Sequence, residues 1–140
     1  SRRTRSGEIS SFAGLFQYAP GLAVSLAIFL FSLAGIPPLA GWFAKLAVFS
    51  ALVEADTAAG YSLAILVGLN SVVALFYYAR VAKVAIIDPV PDGDLTPVSV
   101  PFSLRGAIVL TLVPTLVLGI LPQLVAGMTE SASLLGVALP

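Results

Sequence analysis

Three observations predict the fold class, an all-α membrane protein whose three transmembrane helices form part of a larger bundle. The 140 residues are 59% hydrophobic and 10% charged, with mean hydropathy +1.04, whereas a soluble domain is about half apolar and about a quarter charged. The apolar residues gather in three runs, 20–53, 61–87 and 102–128, each longer than the ~20 residues that carry a helix across ~30 Å of hydrocarbon. The basic residues flanking these runs fall on one side of the membrane. Helices are required because an open strand would leave its backbone groups unpaired in lipid.

Composition also excludes several chemistries. The sequence has no His and no Cys, which removes imidazole acid–base catalysis, disulfides, thiol nucleophiles and the commonest metal ligands. Lys+Arg and Asp+Glu both number 7, and a net charge of zero gives no electrostatic footprint for nucleic acid. No metal or cofactor site is expected. The sequence opens Ser1-Arg2-Arg3 without a short apolar stretch and a small-residue cleavage site. Residues 1–140 read as one membrane domain, the C-terminal part of a longer protein, with no repeat or low-complexity segment.

The lead-in, 1–19, carries Ile9, Phe12, Leu15, Phe16 and Ala19 at helical spacing. It is too short to span. It reads as an amphipathic helix on the membrane surface, with Arg2, Arg3 and Arg5 near anionic headgroups, or as a loop packed on the protein. Span one follows over 20–53, a polar link over 54–60, span two over 61–87, a Pro- and Gly-punctuated loop over 88–101, and span three over 102–128. Arg2, Arg3, Arg5, Arg80, Lys83 and Arg105 fall on one side, while Glu54, Asp56 and Glu130 hold the other. The excess of Lys and Arg makes the first side cytoplasmic, with the N-terminus there and the C-terminus outside.

Span one cannot be a simple straight helix. Its 34 residues would extend about 51 Å at ~1.5 Å per residue, well beyond the core. Pro37 and Pro38 remove two backbone donors, clash with the preceding turn and bias the residue before them away from helix. With Gly35 and Gly41 alongside, the pattern predicts an interruption near Pro37-Pro38 of the kind that lines ion pathways; a plain proline kink is the simpler alternative. Lys45 follows. It lies nine residues before Glu54, so about 13 Å below the outer surface by helical rise. An ammonium at that depth costs about 2.5–3.5 kcal/mol to insert. It can snorkel or face a hydrated cavity. In a cavity, desolvation favours the neutral amine and a nearby carboxylate the ammonium, opposed effects that suit a proton relay. The spans contain no carboxylate, so its partner comes from elsewhere.

Span two places Asn70 and Ser71 mid-membrane, either as hydrogen-bond glue between helices or as polar lining of a pathway. Tyr77 and Tyr78 mark a headgroup belt. Thr111, Pro114 and Thr115 in span three read as a local kink.

The stretch Ser32-Leu33-Ala34-Gly35-Ile36-Pro37-Pro38-Leu39-Ala40-Gly41-Trp42-Phe43-Ala44-Lys45 resembles the antiporter-like membrane subunits of proton-pumping NADH:quinone oxidoreductase (respiratory complex I), most of all the subunit N, or subunit 2, branch. Trp42 stands where that pattern has Phe, and Leu46 where it has an aromatic. Phe76-Tyr77-Tyr78-Ala79-Arg80-Val81 is similar to the branch's aromatic-Tyr-Tyr-x-Arg segment, and Gly14, Leu15 and Pro20 to its lead-in. The resemblance is strongest over 8–90 and weak over 95–140. It implies that the three spans are the last of about fourteen, and that Lys45 is the proton-pathway lysine of a broken helix. It implies a multi-pass protein of the bacterial plasma (inner) membrane, partnered by further antiporter-like subunits, with NADH and quinone used elsewhere in the complex and no cofactor on this chain. Subunits of multisubunit cation/proton antiporters carry a similar motif and are the alternative.

Overall fold

The computed structural model describes residues 8–91 and 93–121. Their regular elements are a 3-10 turn, Ile9–Phe12, and five helices: α1 Leu15–Tyr18, α2 Pro20–Ala34, α3 Ala40–Glu54, α4 Ala58–Ile86 and α5 Phe102–Ile120. No strand occurs among the described residues. The all-helical expectation therefore holds. Helices α4 and α5 are long and apolar enough to cross a membrane, whereas α2 is a shorter apolar helix. Span one is two helices of 15 residues each, so neither half reaches the ~20 residues of a full crossing. Span three is helical to Ile120. Its expected end at 128, together with Arg2, Arg3, Arg5 and Glu130, lies outside the described residues.

Local chemistry sets each boundary. Pro20 opens α2 at a position where its missing N–H is no loss. The Thr57 hydroxyl caps α4 by accepting from Gly60 N at 3.0 Å, and Lys83 sits in its last turn, where the helix dipole favours a cation. Between α3 and α4 the chain turns through Asp56, a left-handed residue (φ 46°) whose carboxylate accepts from the Tyr61 hydroxyl at 2.9 Å. Helix α5 begins after Pro101 and runs unbroken through Pro114. Thr111 donates to the carbonyls of Ala107 and Ile108, and Thr115 to that of Thr111.

The lead-in is not one surface helix. It consists of two single turns tucked onto the protein, with Gly14 N donating to Val84 O near the end of α4 at 3.2 Å. Leu15, Tyr18 and Ala19 form the core cluster with Ala23 of α2 and Ala85 of α4, while Phe16 stays exposed. Helices α2 and α4 meet through small residues: Ala23 and Ala85 are fully buried and Ala27 and Ala82 nearly so. Small residues let helix backbones approach closely in lipid. Elsewhere large apolar side chains point outward, among them Ile65, Val72 and Phe76 of α4, the last 76% exposed. An apolar face of that extent calls for lipid or further protein around it.

Candidate functional site

The site grows out of the end of α2. Gly35 is left-handed (φ 85°), and its N–H donates to Ser32 O at 3.0 Å while Ile36 N donates to Phe31 O at 3.1 Å. This is a Schellman stop, which glycine enters without Cβ strain. A continuous helix would next bond Pro38 N to the Ala34 carbonyl, and proline has no hydrogen to give. The chain instead turns through 35–39, closed by Leu39 N on Ile36 O at 3.1 Å, and α3 starts with Trp42 N on Leu39 O at 3.0 Å.

Two hydrogen bonds sew the halves together. Lys45 Nζ donates to the Ala34 carbonyl oxygen at 2.7 Å, the acceptor that Pro38 leaves without a helical donor. In the other direction, Gly41 N donates to the Ser32 hydroxyl at 3.1 Å, so a buried α2 side chain caps the start of α3. Lys45 itself is half-buried. Its aliphatic stem lies over Gly35, where an added Cβ would come 2.8 Å from Lys45 Cδ. A Cβ on Gly41 would meet the Ser32 carbonyl oxygen, and one on Gly119 of α5 would meet the Pro38 carbonyl oxygen. The joint is therefore packed by backbone on two sides.

Of the residues the sequence singles out, Gly35, Pro37, Pro38, Gly41 and Lys45 converge here. Asn70 and Ser71 do not join them by hydrogen bonds. The Ser71 hydroxyl donates to its own helix at Val67 O, 2.8 Å, and the Asn70 side chain is exposed and bonds to no described residue. Sequence reasoning gave no role to Ser32 or Gly119. Ser32 carried a signal, being one of two hydroxyls in the apolar run before the prolines. Gly119 carried none, because its use depends on how α5 meets the break.

In this geometry an amine with exchangeable protons sits at a helix interruption, beside a carbonyl that is free of helical bonding. No group of three or more potential metal ligands occurs among the described residues.

Comparison with known proteins matches this region first. Residues 1–73 match the family described as NADH:quinone oxidoreductase/Mrp antiporter, TM. NADH-quinone oxidoreductase subunit N 2 of Acidobacterium capsulatum is 46% identical over 117 residues, which cover 83% of this chain and 24% of that protein. F(420)H(2) dehydrogenase subunit N of Methanosarcina mazei is 39% identical over 115 residues, 82% of this chain and 22% of that protein. NAD(P)H-quinone oxidoreductase subunit 2 of Gloeobacter violaceus is 38% identical over 135 residues, 90% of this chain and 25% of that protein. The chain thus spans about a quarter of the length of the curated relatives it matches. With 73 of its 140 residues on the family model, the chain belongs to the NADH:quinone oxidoreductase/Mrp antiporter transmembrane family, and in sequence it is similar to the subunit N members.

Proposed function

We propose that this chain is part of a subunit N-type membrane subunit of NADH:quinone oxidoreductase, and that Lys45 relays protons at its broken helix. The observation that carries the reading is the bond from Lys45 Nζ to the Ala34 carbonyl. It holds an exchangeable amine at the helix interruption, and in this reading that point lies deep in the membrane, where an ionisable group is functional by default. The amine takes a proton from one side and releases it to the other. No carboxylate lies on α2, α4 or α5, and α3 carries only Glu54 at its end, so both exchange partners come from other segments or subunits. Electron transfer from NADH to quinone would take place in other subunits, with no cofactor bound here. The named relatives include subunits of complexes with different donors, NADH and F(420)H(2), which fits a subunit that serves the membrane step alone. The antiporter alternative shares the family, but these redox-complex names favour the first reading.

In this reading α2 and α3 cross the bacterial inner membrane together, and α4 and α5 cross singly. Arg80, Lys83 and Arg105 lie at the cytoplasmic end, Glu54 and Asp56 at the outer end. The test is donor-driven proton uptake into inverted vesicles, normalised to assembled complex. Lys45→Ala is expected to assemble and to lose most pumping. Lys45→Arg should also pump poorly, because Arg keeps its charge but does not release a proton in this range; Lys45→Glu should retain part. Assembled Lys45→Ala that pumps at the unmodified rate would sink the proposal.

A further inference from the structure

A cavity of about 520 Å³ opens where α2 and α5 both begin, far along the chain from the lysine joint. Its walls come from the first turns of α2 (Leu22, Ser25), the segment before α5 (Val98) and the first turns of α5 (Ile108, Leu112), and Arg105 lines it as well. Ser25 is satisfied within its helix, its hydroxyl donating to Gly21 O at 2.8 Å. Arg105 is the one charged residue on the lining among the described residues, it is exposed, and its side chain makes no hydrogen bond or ion pair with a described residue. No acidic residue lines the cavity among the described residues.

Two features specify the occupant. The walls are mainly apolar, and the volume falls within the ~300–1,000 Å³ of small-ligand sites. The guanidinium is a planar fork suited to a phosphate diester. It occupies the first turn of α5, where the helix dipole disfavours a cation, so an arginine there is better explained by an external anion than by helix stability. An acyl chain against the apolar walls with a phosphate on the arginine satisfies both features, and basic pockets between membrane helices at the cytoplasmic side bind anionic headgroups in this way. We infer that the cavity between α2 and α5 holds an anionic phospholipid of the surrounding leaflet, with its phosphate on Arg105 and an acyl chain along Leu22, Ile108 and Leu112. The inference goes beyond the proton reading and does not depend on Lys45.

The test uses the full subunit in its assembled complex, reconstituted into vesicles of phosphatidylcholine doped with either of two probes. One is phosphatidylglycerol bearing a diazirine in its acyl chain, the other phosphatidylcholine bearing the same group. After irradiation, adducts are mapped by mass spectrometry on the peptides covering 18–25 and 105–112. One basic contact near the surface corresponds to about a fivefold preference, so phosphatidylglycerol should label these peptides about fivefold more than phosphatidylcholine. Arg105→Gln should bring the two probes level, while Arg105→Lys keeps most of the preference. Equal labelling in the unmodified complex means unselective bulk lipid and overturns the inference. Absence of label on both peptides means that protein covers the cavity, and overturns it as well. The unmodified complex alone decides between these outcomes, even where a variant fails to assemble.

Discussion

Gly41→Ala is the sharpest test of the joint. An added Cβ would collide with the Ser32 carbonyl oxygen and lie 2.7 Å from Ser32 C and 3.2 Å from Ser32 Oγ. The first two are backbone atoms of α2 and cannot swing away like a rotamer. Ordinary contact begins near 3.4 Å, so Ser32 C at 2.7 Å must retreat by at least 0.7 Å. Moving α3 off α2 by that distance stretches the 3.1 Å bond from Gly41 N to Ser32 Oγ to about 3.8 Å, beyond hydrogen-bond range. The lost partner costs about 1–3 kcal/mol, and residual overpacking about 1–3 kcal/mol more. Against this, alanine is the better helix former by about 1 kcal/mol. The net expectation is a loss of about 1–5 kcal/mol. Gly106→Ala is the control, since its Cβ meets nothing within 4 Å and only the propensity gain remains. The assay is the thermal unfolding midpoint of the assembled complex in mild detergent, together with its steady-state level in membranes. If Gly41→Ala matches Gly106→Ala in both, the close approach at the break is wrong.

Two further expectations can be checked separately. Single cysteines at Ser6, Ala58 and Gly93 should react with an impermeant maleimide from opposite sides, positions 6 and 93 from the cytoplasm and 58 from outside; labelling of all three from one side would refute the orientation. Ser32→Ala should lower the unfolding midpoint of the complex by an amount corresponding to about 1–3 kcal/mol, because it removes the acceptor of a part-buried amide, whereas Ser32→Thr, which keeps the hydroxyl, should recover most of the loss.

Much of this was legible in the sequence because membrane solvent leaves blunt signals. The apolar runs gave α4 and α5 to within a few residues of their described starts, 61 against Ala58 and 102 against Phe102. Two consecutive prolines beside a glycine placed the interruption, since steric exclusion and missing donors act locally. Lys45 stood out because its surroundings are apolar. The lead-in was harder. Helical spacing of Ile9, Phe12 and Leu15 is the same whether the residues face lipid or protein, and only packing against Ala23 and Ala85 reveals a pair of short turns. Ser32 and the Ala34 carbonyl were hidden for a related reason. Their roles depend on which way α3 leaves the break, a direction that periodicity does not encode. Asn70, which the sequence offered as interhelical glue or pathway lining, lies apart from the joint's hydrogen bonds.

The partner of Lys45 is a peptide carbonyl, and this separates two tasks that a lysine–carboxylate pair would merge. A carboxylate can take the proton from an ammonium, and the transfer discharges both groups and weakens their contact. A carbonyl only accepts a hydrogen bond. The ammonium has three N–H groups and the neutral amine still has two, so either form can keep the 2.7 Å contact to Ala34. On the proposed relay, a proton would arrive and depart while the clasp between α2 and α3 stays fastened. A change of charge on this amine therefore need not open the joint between α2 and α3.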